Sequence, residues 1–161
     1  MEAESGLVPG RLARGSRCFG AWAGHELVGY GWLSTKSEWI GEIEVEIGLA
    51  PGEAYIWNCV TLNRHRRKGV FRSVVTSVVA QARKEGLARL WIASLAGFGG
   101  NTIQQAGFEP VLRFDSAKRL GLQWLRVRPA PGADPDLLAS AREALSVKGN
   151  LSVRRSIIRR H

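Results

Sequence analysis

The sequence predicts an α/β (α+β) protein, a sheet flanked by helices. Residues 54–62 form an apolar run rich in aromatic and β-branched side chains, typical of a strand packed on both faces. Residues 70–84 then repeat valines at helical spacing, and Gly86 follows where a helix would end. A second apolar run, residues 87–95, completes the order strand, helix, strand. With 161 residues, of which 45% are hydrophobic, the chain can bury a substantial core.

Shorter elements lie on both sides of this unit. Residues 1–15 look like the end of one helix. Residues 42–47 alternate acidic and aliphatic side chains, which predicts a half-buried strand with an acidic outer face. The other predicted strands are residues 17–22 and 26–34, joined by a turn at 23–25, and residues 109–114 and 120–128, joined by a hairpin turn around 115–119.

The C-terminal part has a different composition. Residues 129–135 are rich in Pro and Gly, which indicates a linker. Asp134 then suits a helix N-cap, with Pro135 at the first helical position and Gly149 as a possible end. The tail, residues 152–161, carries four arginines and is interpreted either as a short basic helix or frayed end, or as a contact for an acidic partner or nucleic acid. We therefore divide the chain into residues 1–128 and a C-terminal segment, 129–161.

A basic turn containing glycine separates the 54–62 strand from the 70–84 helix. The first turn of a helix has N–H groups without intrahelical partners and carries partial positive charge, which favours anions. Gly69 permits close backbone approach and an unusual φ. This combination predicts a site for a pyrophosphate. The full charges come from Arg64, Arg66, Arg67, Lys68 and Arg72.

This region resembles the core of the GCN5-related N-acetyltransferases (GNAT). Their signature, Arg/Gln-x-x-Gly-x-Gly/Ala, matches residues 66–71, and Gly107-Phe108 matches the usual Gly-Phe pair before a later strand. The resemblance covers residues 54–114 well. It implies a mixed, mostly antiparallel central sheet with a splayed, V-shaped cleft that binds acetyl-CoA. The cofactor-binding residues it implies are Asn58, Val60, Thr61 and Leu62 for pantetheine, and Arg66, Arg67, Lys68, Gly69, Val70, Phe71 and Arg72 for the pyrophosphate.

Three departures from the family pattern stand out. Phe71 occupies a position where the signature has Gly or Ala. Ile103 occupies the position of the family's general-acid tyrosine, so the group that protonates the leaving thiolate is unassigned. The strand and helices that precede the first hairpin in the family are short or missing, which allows either a shortened chain or completion of the fold by a second subunit.

The resemblance predicts acetyl transfer to an amine by direct attack, without an acyl-enzyme. Cys59 lies mid-strand with no histidine nearby in sequence and is interpreted as core. Glu53 and Glu46 are candidate bases, because they lie just before the cofactor strand or on its neighbour; the alternative is that Glu46 belongs to a solvated strand face. Ser94 or a water is the candidate acid. The acceptor cannot be identified from the sequence.

Composition bounds the remaining possibilities. The net charge of +9 suits a coenzyme with several phosphates and equally suits nucleic acid, so a non-catalytic coenzyme A-binding module or a basic nucleic-acid-binding module is the alternative. Most of the six tryptophans are interpreted as core. Cys18 and Cys59 are expected to be buried thiols, and the scattered histidines predict no metal site. With no secretory signal and no membrane-length apolar run, we expect a cytoplasmic protein, as monomer or homodimer.

Overall fold

The computed structural model describes residues 5–95, 99–120, 122–146 and 151–155, with backbone alone at 118–119 and 151–155. The chain divides into two compact units, residues 1–36 with 49–108, and residues 37–48 with 109–161. The predicted division at residue 128 stays a prediction. Within the described residues, no helix is long and apolar enough to cross a membrane.

The first unit contains a four-stranded sheet, whose strands lie in the order β1 (Arg17–Ala23), β2 (Glu26–Ser34), β5 (Glu53–Thr61) and β6 (Arg89–Ile92). The first three strands pair antiparallel, and β5 pairs parallel with β6. The mostly antiparallel sheet flanked by helices is therefore confirmed. The other elements of this unit are α1 (Val8–Ala13), a 3-10 turn (Asn63–His65), α2 (Val70–Lys84) and α3 (Gly100–Gln105).

Two glycines of β2 let the first turns of α2 lie against the sheet. A Cβ at Gly29 would stand 2.6 Å from Val70 Cγ1 and 2.8 Å from the Val60 carbonyl oxygen. A Cβ at Gly31 would stand 2.8 Å from Val74 Cγ1. Any larger residue at either position would push the helix N-terminus away from β5. These two glycines therefore determine how closely the basic turn approaches the sheet.

The core of this unit lies between the sheet and α2. Leu33, Ala54, Ile56 and Val78 are each at most 1% exposed and form one cluster. The opposite face of the sheet carries α1, where the buried Arg11 guanidinium lies 5.1 Å and 4.7 Å from the ring centroids of Trp32 and Trp57. Since successive strand residues point to opposite faces, helices cover both faces of this sheet.

The second unit is built from two smaller sheets and a helix. The N-cap of the helix, α4 (Pro135–Ala144), is as predicted, because the Asp134 side chain accepts hydrogen bonds from the N–H groups of Asp136 and Leu137, both at 2.9 Å. The Gly48 N–H donates to the Ala144 carbonyl at 2.7 Å and so links the hairpin of residues 38–47 to the end of this helix. The elements are β3 (Glu38–Ile40), β4 (Val45–Ile47), β7 (Leu112–Arg119), β8 (Leu122–Pro129), α4 (Pro135–Ala144) and β9 (Leu151–Arg155), with β7, β8 and β9 antiparallel.

Several predicted boundaries are wrong. Residues 42–44 lie in the turn between β3 and β4, where Glu44 has φ +51°, so only residues 45–47 of the predicted strand are a strand. Residues 115–119 belong to β7 because they continue its pairing with β8, and the hairpin turns after Arg119. The tail is neither helical nor frayed at residues 151–155, because these pair with β8. The expected helix end at Gly149 lies outside the described residues.

Candidate functional site

The carboxyl end of β5 differs from the rest of the strand because it is bulged and paired on one side. Asn58 and Cys59 together oppose the single residue Gly31 of β2, and Asn58 has φ +43°. Two residues facing one partner constitute a β-bulge, which bends the strand. The recorded pairing of β5 with β6 ends at Ile56 and Ile92, whereas β5 continues to Thr61. Beyond Ile56 and Ile92 the described residues of the two segments are no longer paired, and we refer to this end of pairing as the divergence of β5 and β6.

Hydrogen bonding after the bulge turns one backbone N–H toward this opening. The Leu62 N–H donates to the Val28 carbonyl of β2 at 3.0 Å. Because neighbouring residues of an antiparallel strand point their backbone groups in opposite directions, the Thr61 N–H points away from β2. It faces the side from which β6 has diverged. Of the predicted strand-end residues, Leu62 thus has its amide occupied, and Thr61 presents one to the cleft.

The turn that follows brings the chain into the N-terminus of α2. Arg67 has φ +61° and Gly69, the N-cap, has φ +80°. No atom lies within 4 Å of a Cβ built at Gly69, so its backbone conformation, not crowding, requires glycine. The Ser73 N–H donates to the Gly69 carbonyl at 2.9 Å and is the first bond of the helix. The amides of residues 70–72 in the first turn consequently have no intrahelical acceptor and can bind an anion.

The basic side chains around the turn fall into two groups. Arg66, Arg67 and Lys68 are exposed, and among the described residues none has a recorded ion pair. Arg64 instead pairs with Glu26 at the start of β2, and Arg72 donates to the Gln105 side chain. The cluster predicted from sequence is therefore three available cations and two held ones.

Glu26 was not predicted as part of this region, since it is distant in sequence from the turn. The hydrogen bond from Arg64 holds the pKa of the Glu26 carboxyl below its usual value, with His65 adding to the effect. The His65 Nε2 atom lies 3.4 Å from the same carboxylate oxygen. This surface cluster attaches the 3-10 turn to β2, and no local sequence pattern indicates it.

Phe71 and Ile103, two departures from the family signature, lie on adjoining helices. The half-buried Phe71 ring covers the N-cap of α3: a Cβ at Gly99 would stand 2.8 Å from Phe71 Cε1. Gly99 also has φ +71°, so both its backbone conformation and its contact with Phe71 favour glycine at this position. Ile103 is 8% exposed within α3. A buried aliphatic side chain at that position supplies no proton.

Glu53 lies at the opposite end of β5 from the basic turn. At about 3.3 Å per residue, Glu53 and Thr61 are about 26 Å apart along the strand. The carboxylate of Glu53 accepts hydrogen bonds from Arg89 Nη1 at 2.9 Å, Trp91 Nε1 at 3.1 Å and the Ala50 N–H at 3.3 Å. These three donors explain why a carboxylate is buried there, and they favour a structural role for Glu53.

The other predicted chemical groups are differently placed. Ser94 is exposed two residues beyond β6, on the side where the strands diverge. Glu46 is exposed on β4 in the second unit, opposite Trp39 in the strand register. Cys59 packs against the core, and burial raises the pKa of its thiol to about 11. Cys18 is exposed, so the expectation that both thiols are buried is wrong for Cys18.

Comparisons with known proteins identify the fold and the family. The profile of the Acetyltransferase (GNAT) family matches residues 4–99. An acetyltransferase from Bacillus subtilis in complex with CoA is 22% identical, with a TM-score of 0.50 over 71% of this chain and 64% of that one. A protein assigned as an acetyltransferase from Agrobacterium tumefaciens is 18% identical, with a TM-score of 0.50 over 71% of this chain and 75% of that one.

Among curated proteins, no sequence matches the chain. The family profile covers more than half of the residues and includes the hairpin β1–β2, the strand β5, the basic turn and α2. The structures of the two similar proteins agree with this result at the level of the fold. The chain therefore belongs to the GNAT family of acetyltransferases, whose acetyl donor is acetyl-CoA.

Proposed function

We propose that the chain is an N-acetyltransferase that transfers the acetyl group of acetyl-CoA to an amine by direct attack. One observation carries the proposal: the end of β5 is open on the side where β6 diverges, and it leads directly into a cationic turn at a helix N-terminus. A strand edge suits the amide groups of pantetheine, and the turn suits its phosphates.

In this arrangement, the pyrophosphate binds at the amides of residues 67–71, with Arg66 and Lys68 adding charge. The pantetheine arm runs along residues 58–61 of β5. The Thr61 N–H then lies beside the thioester carbonyl, where it stabilises the oxyanion that develops as the amine attacks. This role for Thr61 rests on the hydrogen bond of its neighbour Leu62 to β2.

The proposed acetyl transfer needs no covalent enzyme intermediate. The amine nitrogen bonds to the acetyl carbon, the carbon–sulfur bond breaks, and the amine proton passes to a base, directly or through water. Cys59 stays a core thiol, because a pKa of about 11 leaves it protonated at neutral pH. Ser94 is our candidate donor to the leaving thiolate, and Glu46 stays a candidate base. Glu53 is not retained, because three donors already engage its carboxylate.

The second candidate function is a coenzyme A-binding or nucleic-acid-binding module without catalysis. The buried Ile103 favours it, because the family's proton donor is replaced by an aliphatic side chain. The exposed side chains of Arg66, Arg67 and Lys68 in the turn would also attract nucleic acid. The two functions differ in turnover and in what competes for the turn.

Calorimetry with coenzyme A tests the binding site. We expect the wild type to bind coenzyme A and Gly69→Glu to have an affinity at least about a hundredfold lower, because its carboxylate would occupy the position of the bound anion. Gly86→Glu is the matched control: Gly86 has φ +70° and open space around it, like Gly69, but lies at the other end of α2. Equal weakening in the two variants, or no binding by the wild type at millimolar coenzyme, refutes the site.

Release of free thiol from acetyl-CoA across a panel of amines tests the activity. Turnover with an amine, lost in Gly69→Glu and retained in Gly86→Glu, supports the enzyme. Binding of coenzyme A without turnover on any amine supports the non-catalytic alternative. A nucleic acid probe that binds at 150 mM salt, survives coenzyme A and is lost when residues 152–161 are removed would place function in the tail.

A further inference from the structure

Two neighbouring residues at the start of α2 hold α3. Phe71 covers Gly99, the N-cap of α3, and Arg72 donates to the side chain of Gln105, the last residue of α3. The six residues of α3 are thus held at both ends by the same turn of α2. We call these two contacts, Phe71–Gly99 and Arg72–Gln105, the latch.

The latch joins the two sides of the opening in the sheet. The helix α2 follows β5, and α3 follows β6, and these are the two strands that diverge after Ile56 and Ile92. Arg72 lies in the first turn of α2, three residues after the N-cap Gly69, where its guanidinium can reach an anion at the helix N-terminus. In this structure it bonds to Gln105 instead.

We propose that Gln105 competes with bound phosphate for the guanidinium of Arg72, so that coenzyme binding opens the polar half of the latch. This inference rests on the proposed coenzyme site. A neutral amide oxygen is a weaker partner for a guanidinium than a phosphate, because the phosphate carries a negative charge and can accept two parallel hydrogen bonds from arginine. The exchange therefore favours the bound state, but breaking the bond to Gln105 reduces the affinity gained.

Phe71 positions α3 relative to Arg72. The ring keeps the N-cap of α3 against α2, which leaves Gln105 within reach of Arg72. The family signature has Gly or Ala at this position, and neither residue is large enough to contact Gly99 in this way. The departure at Phe71 and the held Arg72 consequently belong to one structural feature.

The test compares two adjacent glutamines of α3. Gln104 and Gln105 are both exposed, but of these two it is the Gln105 side chain that accepts a hydrogen bond from Arg72. In calorimetry with coenzyme A, Gln105→Ala should bind about threefold more tightly than the wild type, since Arg72 is released, whereas Gln104→Ala should match the wild type. Gln105→Glu should bind about threefold more weakly or worse, because an ion pair strengthens the latch.

A double-mutant cycle separates competition from packing. In an Arg72→Gln background, Gln105→Ala should no longer change coenzyme affinity, and the gain seen in the single variant should disappear. If Gln105→Ala equals Gln104→Ala, or if its effect persists without Arg72, the latch does not compete for phosphate and the inference is wrong. Wild-type binding that is lost in Gly69→Glu would still leave the proposed coenzyme site intact, so the two failures are distinguishable.

Discussion

The two ends of strand β5 have opposite surroundings. From Glu53 to Ile56 every residue is buried and pairs parallel with β6, and from Tyr55 onward the strand also pairs antiparallel with β2. From Trp57 to Thr61 the residues are half-buried, the strand bulges at Asn58, and pairing with β6 has ended. One strand thus anchors the sheet at its amino end and presents an open backbone edge at its carboxyl end.

The comparison separates the part of β5 that stabilises the fold from the part that we propose binds the coenzyme. The amino end carries the core cluster and the buried carboxylate with its three donors. The carboxyl end carries the divergence, the turn and the helix N-terminus. Substitutions at the first end should change the free energy of unfolding, and substitutions at the second should change coenzyme affinity.

The largest stability effect is expected from truncating the anchored end. Ile56→Ala should lower the free energy of unfolding by about 3–4 kcal/mol, because Ile56 is fully buried and its loss leaves a cavity. Val60→Ala, at the half-buried end of the same strand, should cost less than half as much. Urea denaturation of both variants measures the contrast. Equal losses would show that the two ends of β5 are packed alike.

A smaller effect is expected from the titration of Cys59, in the carboxyl end of the strand. Burial raises the pKa of its thiol from 9.0 to about 11, so the unfolded chain loses this proton first as the pH rises. Stability from this group is fully present below pH 9 and decreases between pH 9 and 11, by at most about 2.7 kcal/mol at 1.36 kcal/mol per pKa unit.

Cys59→Ala is the control for that titration, because other groups also ionise in this range. The difference in unfolding free energy between the wild type and Cys59→Ala should shrink as the pH rises from 9 to 11. A difference that stays constant over this range would mean that the thiol is not shielded from water by the core.

The smallest effect is expected from Glu53→Gln, which keeps the shape of the side chain but removes its charge. The variant should be destabilised by about 1–2 kcal/mol, because the bond from Arg89 loses its ionic partner. Its rate of acetyl transfer should equal that of the wild type under native conditions, as the carboxylate lies far from the turn. A large fall in kcat without loss of stability would instead return Glu53 to the role of base.

Local patterns in the sequence were sufficient to predict the helix α2, the glycine turn before it and the N-cap of α4. The bounds of α2, residues 70–84, agree with the valine spacing, and the N-cap of α4 at Asp134 agrees with its side-chain hydrogen bonds. Gly69 permits an unusual φ, as noted from the sequence, and it has φ +80°. These features depend on residues close together in the chain, so periodicity and capping preferences describe them.

The errors concern elements whose ends are decided by pairing partners. The turn after β7 and the strand β9 depend on the register with β8, and the six-residue helix α3 is too short for a helical period to be visible. Composition likewise overstated the available charge of the basic turn, because it counted Arg64 and Arg72 as free.

By itself, the sequence determined the strand, the glycine turn, the helix and the basic character of residues 66–68, since each follows from neighbouring residues. Only the tertiary structure decided which arginines are held by Glu26 and Gln105, where β6 leaves β5, and that Phe71 lies on Gly99. Those contacts join residues about 28 to 38 positions apart in the chain, and their partners are selected by how the sheet and helices pack.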